Sequence, residues 1–565
     1  MSTQRPPADE RWRGALALSV VGCVVTCLAV LQPESGWNIG DVAFKISLPP
    51  SWAAMLEKEE SVPIIPRWKP EDVSELLARY DEEWSAASAG LEADSAAQAA
   101  TDSVLSAPIS FAVDSTVTAE ESPNSDSLSP PRPAPVRREV DLTIPDPASL
   151  PPALRITIPE SARPGFQRLF ARLDQDGEVN VLHYGDSQIE GDRISGVMRN
   201  AWQKRWGGYG PGLQPAVPLV QSFALRQGHT GPWKRHTRYG RRDTTDADER
   251  YGLLACYADV DLDANGDVGG CLTVAPEPRN HPQFARWDGI RVWHDSLHAD
   301  CIVRLNDLPV DTLRAGSGPG TIVLSAPRSD SLQPAAPEET RICFEGPTPR
   351  IFAVEPVGGG VQWHGVSMRG SSGTLFRKLD RSLLLSQWDV LDPELVILQY
   401  GGNMVPHCKD SLTAERYGGW FASQIRLFHR VLPNAAILVI GPSDMAEKTG
   451  VNWTSYTMLD PVRMALRQAA LEEGAAYWDL LEVMGGLGSM PAWVESEPPL
   501  AGPDHVHFTP LGAKRVGTLL DRSFLACYGE WKRNWTPPAP SVIPRRSPDP
   551  VTVSVAVPTS IELHD

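Results

Sequence analysis

The stretch that decides the fold is Val179-Asn180-Val181-Leu182-His183-Tyr184-Gly185-Asp186-Ser187-Gln188. An apolar run ends in Gly185-Asp186-Ser187, and a polar, helix-compatible segment follows. A buried strand that stops in a tight glycine turn presents the Ser187 hydroxyl at the end of a sheet. Open α/β sheets hold their ligands there, outside the carboxyl ends of the strands. A serine that opens a helix at that spot sits among backbone N–H groups able to stabilise an anion. The same serine also suits an ordinary N-cap, so three residues alone do not choose between catalysis and capping.

The far end of the chain adds a partner. Gly502-Pro503-Asp504-His505-Val506-His507-Phe508 precedes a helical pattern. Asp504 and His507 are spaced so that a carboxylate can hold the imidazole Nδ1–H and leave Nε2 free to take a proton from a serine. The alternative is that Asp504 caps a turn and His507 packs beside Phe508. Between the two ends, Leu395-Val396-Ile397-Leu398-Gln399-Tyr400 reads as a buried strand that runs into Gly401-Gly402-Asn403. A strand-end asparagine can aim its amide at a developing oxyanion. Gly370, after Gly365-Val366-Ser367-Met368-Arg369, can offer a backbone N–H or serve as a simple turn glycine.

Taken in order, these pieces resemble the SGNH (GDSL-type) hydrolase family. Gly185-Asp186-Ser187 resembles its first block, Gly370 its second, Asn403 its third, and Asp504 to His507 its Asp-x-x-His block. The resemblance implies a serine esterase with Ser187, His507 and Asp504 as catalytic triad. It implies an oxyanion hole from Ser187, Gly370 and Asn403, and it calls for no cofactor or metal. One departure is Met404, where the family's third block carries aspartate after the asparagine. The resemblance covers roughly residues 175–220 and 360–530.

The rest of this region alternates strand and helix patterns. Ser411 to Leu432 places Phe421, Ile425 and Phe428 on one helical face. Ala436 to Gly441 reads as the next buried strand, and Pro461 to Glu473 and Ala513 to Leu525 as further helices. Such alternation predicts an α/β fold, a flavodoxin-like parallel sheet with helices on both faces. The hydrolase domain is expected in two parts, 151–221 and 358–532.

Between them, 222–357 holds short runs separated by turn residues: Gly289 to Trp293, Cys301 to Leu305, Thr321 to Leu324 and Arg341 to Phe344. This pattern predicts an inserted β-sandwich. A module at this point resembles the carbohydrate-binding-like domain of peptidoglycan O-acetylesterases in the SGNH group. Trp287, Trp293 and Trp363 are candidates for stacking on sugar rings or for filling the core. Asp259 to Asp267 is an acidic loop, solvated or a Ca²⁺ holder, although it lacks EF-hand spacing. His505 and His507 beside Asp504 offer a weaker metal reading.

The 565-residue chain carries a formal net charge of −18. Nucleic-acid binding needs a basic surface, so no nucleic-acid partner is expected. Arg5, Arg11 and Arg13 precede an uncharged apolar run from about Ala15 to Leu31. Residues 1–32 therefore read as an uncleaved signal anchor, or a signal peptide, that tethers an exported chain to a membrane. Residues 33–150 read as a largely disordered tether, and 533–565 as a Pro-rich tail in which Val551 to Val555 alternates like an edge strand. Six cysteines lie beyond the apolar run, and an oxidising compartment allows them to pair. The expected substrate is an O-acetyl ester on an envelope or extracellular polysaccharide. The two rivals are an O-acetyltransferase using the same serine and a non-catalytic glycan-binding protein.

Overall fold

The computed structural model describes residues 149–534, except 176–177, 241–247, 261–268, 278–279 and 325–338, together with Pro145 and the strands Trp37–Ile39 and Val42–Phe44. The chain divides into two compact units, Met1–Arg67 and Trp68–Asp565. In the first, Trp37–Ile39 pairs antiparallel with Val42–Phe44, so part of the stretch expected to be disordered forms a hairpin. The apolar segment 1–32, the rest of the tether to residue 144 and the tail from 535 lie outside the described residues. Among the described residues no helix is long and apolar enough to cross a membrane.

In the second unit, five strands run parallel: β1 (Val179–Gly185), β2 (Gly359–Ser367), β3 (Leu395–Gln399), β4 (Ala436–Ile440) and β5 (Ala476–Trp478). Their order across the sheet is β5-β4-β3-β1-β2, and the short strand Gly208–Tyr209 closes the β2 edge antiparallel. This is the flavodoxin-like order, whose switch point lies between β1 and its third-strand neighbour. Strands covered on both faces read as nearly continuous apolar runs, and every residue of β3 and β4 is buried.

Alternate residues of these strands feed two separate cores. On one face Leu182, Tyr184, Leu398 and Val439 pack with α3 (Arg381–Leu391), α4 (Ser411–Val431) and α5 (Leu459–Glu472). On the other, Val181, Ile397 and Leu438 pack with α1 (Arg163–Asp174), α2 (Ser195–Trp206) and α6 (Pro510–Asn534). In α4 the spacing of Tyr417, Phe421, Ile425 and Phe428, in steps of four, four and three, makes one fully buried stripe. Asp410 starts that helix by accepting the Thr413 N–H, an ordinary N-cap. The last helix is longer than its sequence pattern, because Phe524, Tyr528 and Trp531 extend the buried face to the helix end.

The insertion forms two antiparallel sheets around a third core. The expected strands appear as Gly289–His294, Cys301–Leu305, Gly320–Leu324 and Thr340–Glu345. Gln214–Pro215 already pairs with Ile351–Val357, so the sandwich starts ahead of the expected boundary at 222. Cys271 and Cys343 lie opposite each other on paired strands and form a disulfide. Cys256, Cys301, Cys408 and Cys527 are free thiols. Trp293 and Trp363 are fully buried, which rules out sugar stacking for both. Trp363 lies on β2 of the parallel sheet against Trp202, and Trp287 is half-buried. Most of the acidic loop lies outside the described residues, and Asp259 at its start contacts His236 at 3.1 Å.

Candidate active site

Strand register brings the site together. Gly185 is level with Ser367 on one side and Gln399 on the other, and Gln399 is level with Ile440. The turns that leave these strands therefore open along one edge of the sheet. Ser187 follows β1, Gly370 follows β2, and Asn403 follows β3. The Asp504–His507 loop leads into α6 and arrives at the same edge.

Ser187 does not open an α-helix. It starts a 3₁₀ turn, Ser187–Asp192, broken at Gly191 with φ 70°, and α2 begins only at Ser195. Asp186 takes the capping role by accepting the Gln188 N–H at 3.0 Å. The Ser187 hydroxyl is thereby left unspent by the turn and reaches across the pocket. Its Oγ lies 2.8 Å from His507 Nε2. His507 Nδ1 lies 2.7 Å from Asp504 Oδ2. The other Asp504 oxygen accepts the backbone N–H groups of Val506 and His507, each at 3.1 Å. Partial burial would raise the Asp504 pKa, but these hydrogen bonds outweigh it and hold the carboxyl below its ordinary value. The two Asp504 oxygens divide their contacts: Oδ1 caps the turn, and Oδ2 faces the His507 imidazole.

The metal reading of this loop fails. His505 turns aside, stacking on Trp453 with 3.7 Å between ring centroids and its Nδ1 3.1 Å from the Pro503 carbonyl. Among the described residues no group of three His, Cys, Asp or Glu side chains could hold a metal ion.

A cavity of about 580 Å³ opens over the serine, with Gly370, Asn403, Tyr456 and His507 in its walls. Gly370 has φ +76°, a conformation that glycine adopts without strain. Asn403 is not idle in the resting site. Its Nδ2 donates to Asp186 Oδ2 at 3.2 Å and to the Ser371 carbonyl at 3.1 Å. Asp186 is buried, and burial pushes its carboxyl up to about 6 against the Gln188 N–H, nearby His507 and Asn403.

Three positioning features carried no assigned role in the sequence reading. Gln188 embraces the backbone on either side of His507: its Nε2 donates to the Val506 carbonyl at 2.7 Å, and its Oε1 accepts the Phe508 N–H at 3.4 Å. Arg193 donates to the carbonyls of Ser187 at 2.7 Å, Phe508 at 2.8 Å and Glu190 at 2.9 Å. It thus ties the Ser187 turn to the histidine loop. Arg369, next to Gly370, pairs with Glu190 on the Ser187 turn, through contacts of 2.5 and 2.9 Å. The only sequence signal was the density of polar residues directly after the serine.

Residues 347–515 match the family model for the GDSL-like lipase/acylhydrolase family. The matched region contains Gly370, Asn403, Asp504 and His507; Ser187 lies outside it and follows β1, which pairs with β2 and β3. A solved peptidoglycan O-acetylesterase shares the fold, with TM-score 0.52 and 23% identity over 66% of this chain and 99% of that chain. A GDSL-like lipase from Parabacteroides merdae aligns with TM-score 0.22 and 16% identity over 29% of this chain and 74% of that one. An acetyl xylan esterase aligns with TM-score 0.22 and 19% identity over 28% and 79%. No curated protein matches the sequence.

Proposed function

We propose that this chain is a serine esterase that removes O-acetyl groups from an envelope or extracellular polysaccharide through an acyl-enzyme. The observation that carries the proposal is the continuous line Ser187 Oγ, His507 Nε2, His507 Nδ1, Asp504 Oδ2, with contacts of 2.8 and 2.7 Å. It is the nucleophile, base and orienter set that acyl transfer needs.

Ser187 attacks the ester carbonyl while His507 Nε2 takes its proton. Asp504 fixes the imidazole with Nε2 facing the serine and stabilises the imidazolium that forms. The tetrahedral oxyanion is held by the Ser187 and Gly370 N–H groups and by the Asn403 amide. Asn403 exchanges its bond to the neutral Ser371 carbonyl for one to the oxyanion, a better acceptor because charge-assisted hydrogen bonds are the stronger kind. Asp186 keeps the amide aimed through the other N–H. His507 returns the proton to the leaving sugar hydroxyl, and water then releases acetate by the same route.

The polysaccharide assignment draws on the expected export of the chain through 1–32, on the sandwich that accompanies the hydrolase sheet, and on the fold shared with a peptidoglycan O-acetylesterase. The sandwich is assigned glycan contact and the 33–150 segment reach from the membrane. The test is acetate release from O-acetylated peptidoglycan, with Ser187→Ala beside the wild type. Release by the wild type alone is expected. Release by neither protein, with p-nitrophenyl acetate still cleaved by the wild type, would leave an esterase with a different substrate.

A further inference from the structure

A second cleft, of about 230 Å³, shares no wall residue with the catalytic cavity. The turn Phe376–Lys378 and α3 form one side, and the second half of α4 forms the other. Its floor includes Phe376, Leu384 and Trp388, all buried. Its walls carry four exposed arginines: Arg377, Arg381, Arg426 and Arg430. Arg426 pairs with Glu473 across the helices. Among the described residues Arg377, Arg381 and Arg430 have no carboxylate partner. The nearest acid in sequence, Asp380, is committed to capping α3 through the Leu383 N–H at 2.8 Å and the Ser382 hydroxyl at 2.8 Å.

Helix stability does not account for this set. Arg426 and Arg430 are like charges four apart on one helix, which is destabilising. Arg381 sits in the first turn of α3, where the helix dipole disfavours a cation. Arg430 alone, in the last turn of α4, is placed as the dipole favours. Yet in a chain of net charge −18 these guanidinium groups converge on one concavity.

We propose that this cleft binds a phosphoryl group. A carboxylate has two oxygens and is satisfied by one bidentate arginine. Three unpaired guanidinium groups match a ligand with three or more acceptor oxygens and more than one charge, which a phosphate supplies. The closed aromatic and aliphatic floor limits the site to the phosphoryl head of its ligand, whether a soluble phosphoester or a lipid headgroup.

The test titrates the full chain with inorganic pyrophosphate by calorimetry. Wild type is compared with Arg381→Ala/Arg430→Ala and with Arg416→Ala, an exposed arginine of α4 outside the cleft. Saturable binding is expected in wild type and Arg416→Ala, weakened at least about tenfold in the double variant, since each lost bond is charge-assisted. The same proteins are sedimented with phosphatidylglycerol and phosphatidylcholine vesicles. A loss specific to phosphatidylglycerol in the double variant assigns the ligand to a lipid headgroup, and unchanged sedimentation with weakened pyrophosphate binding assigns it to a soluble phosphoester. Absence of saturable pyrophosphate binding in the wild type, or equal binding in the double variant with its melting temperature retained, overturns the proposal.

Discussion

Arg193→Ala is the perturbation that most sharply separates geometry from chemistry at this site. Arg193 touches no reacting atom, yet it donates to the Ser187 carbonyl at 2.7 Å and to the Phe508 carbonyl at 2.8 Å. Those two acceptors belong to the segments that carry Ser187 and His507, which are 320 residues apart in sequence. Hydrogen bonds to a charged group contribute about 1.5–3 kcal/mol each. For a half-buried arginine the lower figure applies, so the two cross-links together hold the serine turn to the histidine loop with about 3 kcal/mol. Without them the two segments can drift, and a displacement of about 1 Å between reacting groups costs on the order of 10²-fold in rate. Steady-state kinetics on p-nitrophenyl acetate should show kcat lower by about 10- to 10²-fold, with KM within about twofold because a small ester contacts neither link. Arg193→Lys should fall between, since an ammonium lacks the planar fork that spans several carbonyls at once. A folded Arg193→Ala protein with kcat within about twofold of wild type would refute the reasoning.

Further outcomes follow from the same geometry. Asp186 has a folded-state pKa of about 6 against an ordinary 3.8, raised first by burial. The folded state therefore holds its proton to higher pH than the unfolded chain, and this residue lowers stability as pH rises through that window. Asp186→Asn should flatten the melting temperature over the same window, while a lower kcat reports the lost acceptor for Asn403; an unchanged slope would contradict the assignment. Gly370→Ala meets its nearest neighbour, Gly240 Cα, only at 3.6 Å, so its cost comes from the φ of +76°. About 1–2 kcal/mol of strain is expected, read as a lower denaturation midpoint together with a kcat loss. Reducing the Cys271–Cys343 disulfide, with its sequence separation of 72, should destabilise the sandwich by about 4 kcal/mol in the chain-entropy picture. Thermal unfolding with and without reductant measures it.

The parts of this architecture that depend on local pattern were legible in the sequence. Apolar runs ending in glycine mark β1 and β3, and the apolar residues Phe421, Ile425 and Phe428, spaced four and three apart, mark α4. Ser187, Gly370 and Asn403 were legible because each follows such a run, and the Asp504–His507 pair because its spacing precedes a helical pattern. What depends on strand register was not. No local signal places Cys271 opposite Cys343, or turns the Trp363 ring into the core against Trp202. Gln188 and Arg193 were equally opaque, because their acceptors at Val506 and Phe508 lie more than three hundred residues on. The resting engagement of Asn403 with Asp186 and Ser371 also needed coordinates, since sequence identifies a donor but not where its hydrogens point.

The central claim is that Ser187 becomes acylated with His507 as its base. The most direct measurement is mass spectrometry of the protein quenched during turnover of p-nitrophenyl acetate, in wild type, Ser187→Ala and His507→Ala. The account predicts a wild-type species heavier by one acetyl group, mapped to the peptide containing Ser187, and absent from both variants as turnover falls to background. Turnover that persists in Ser187→Ala, or an acetyl group mapped to another residue, would contradict it.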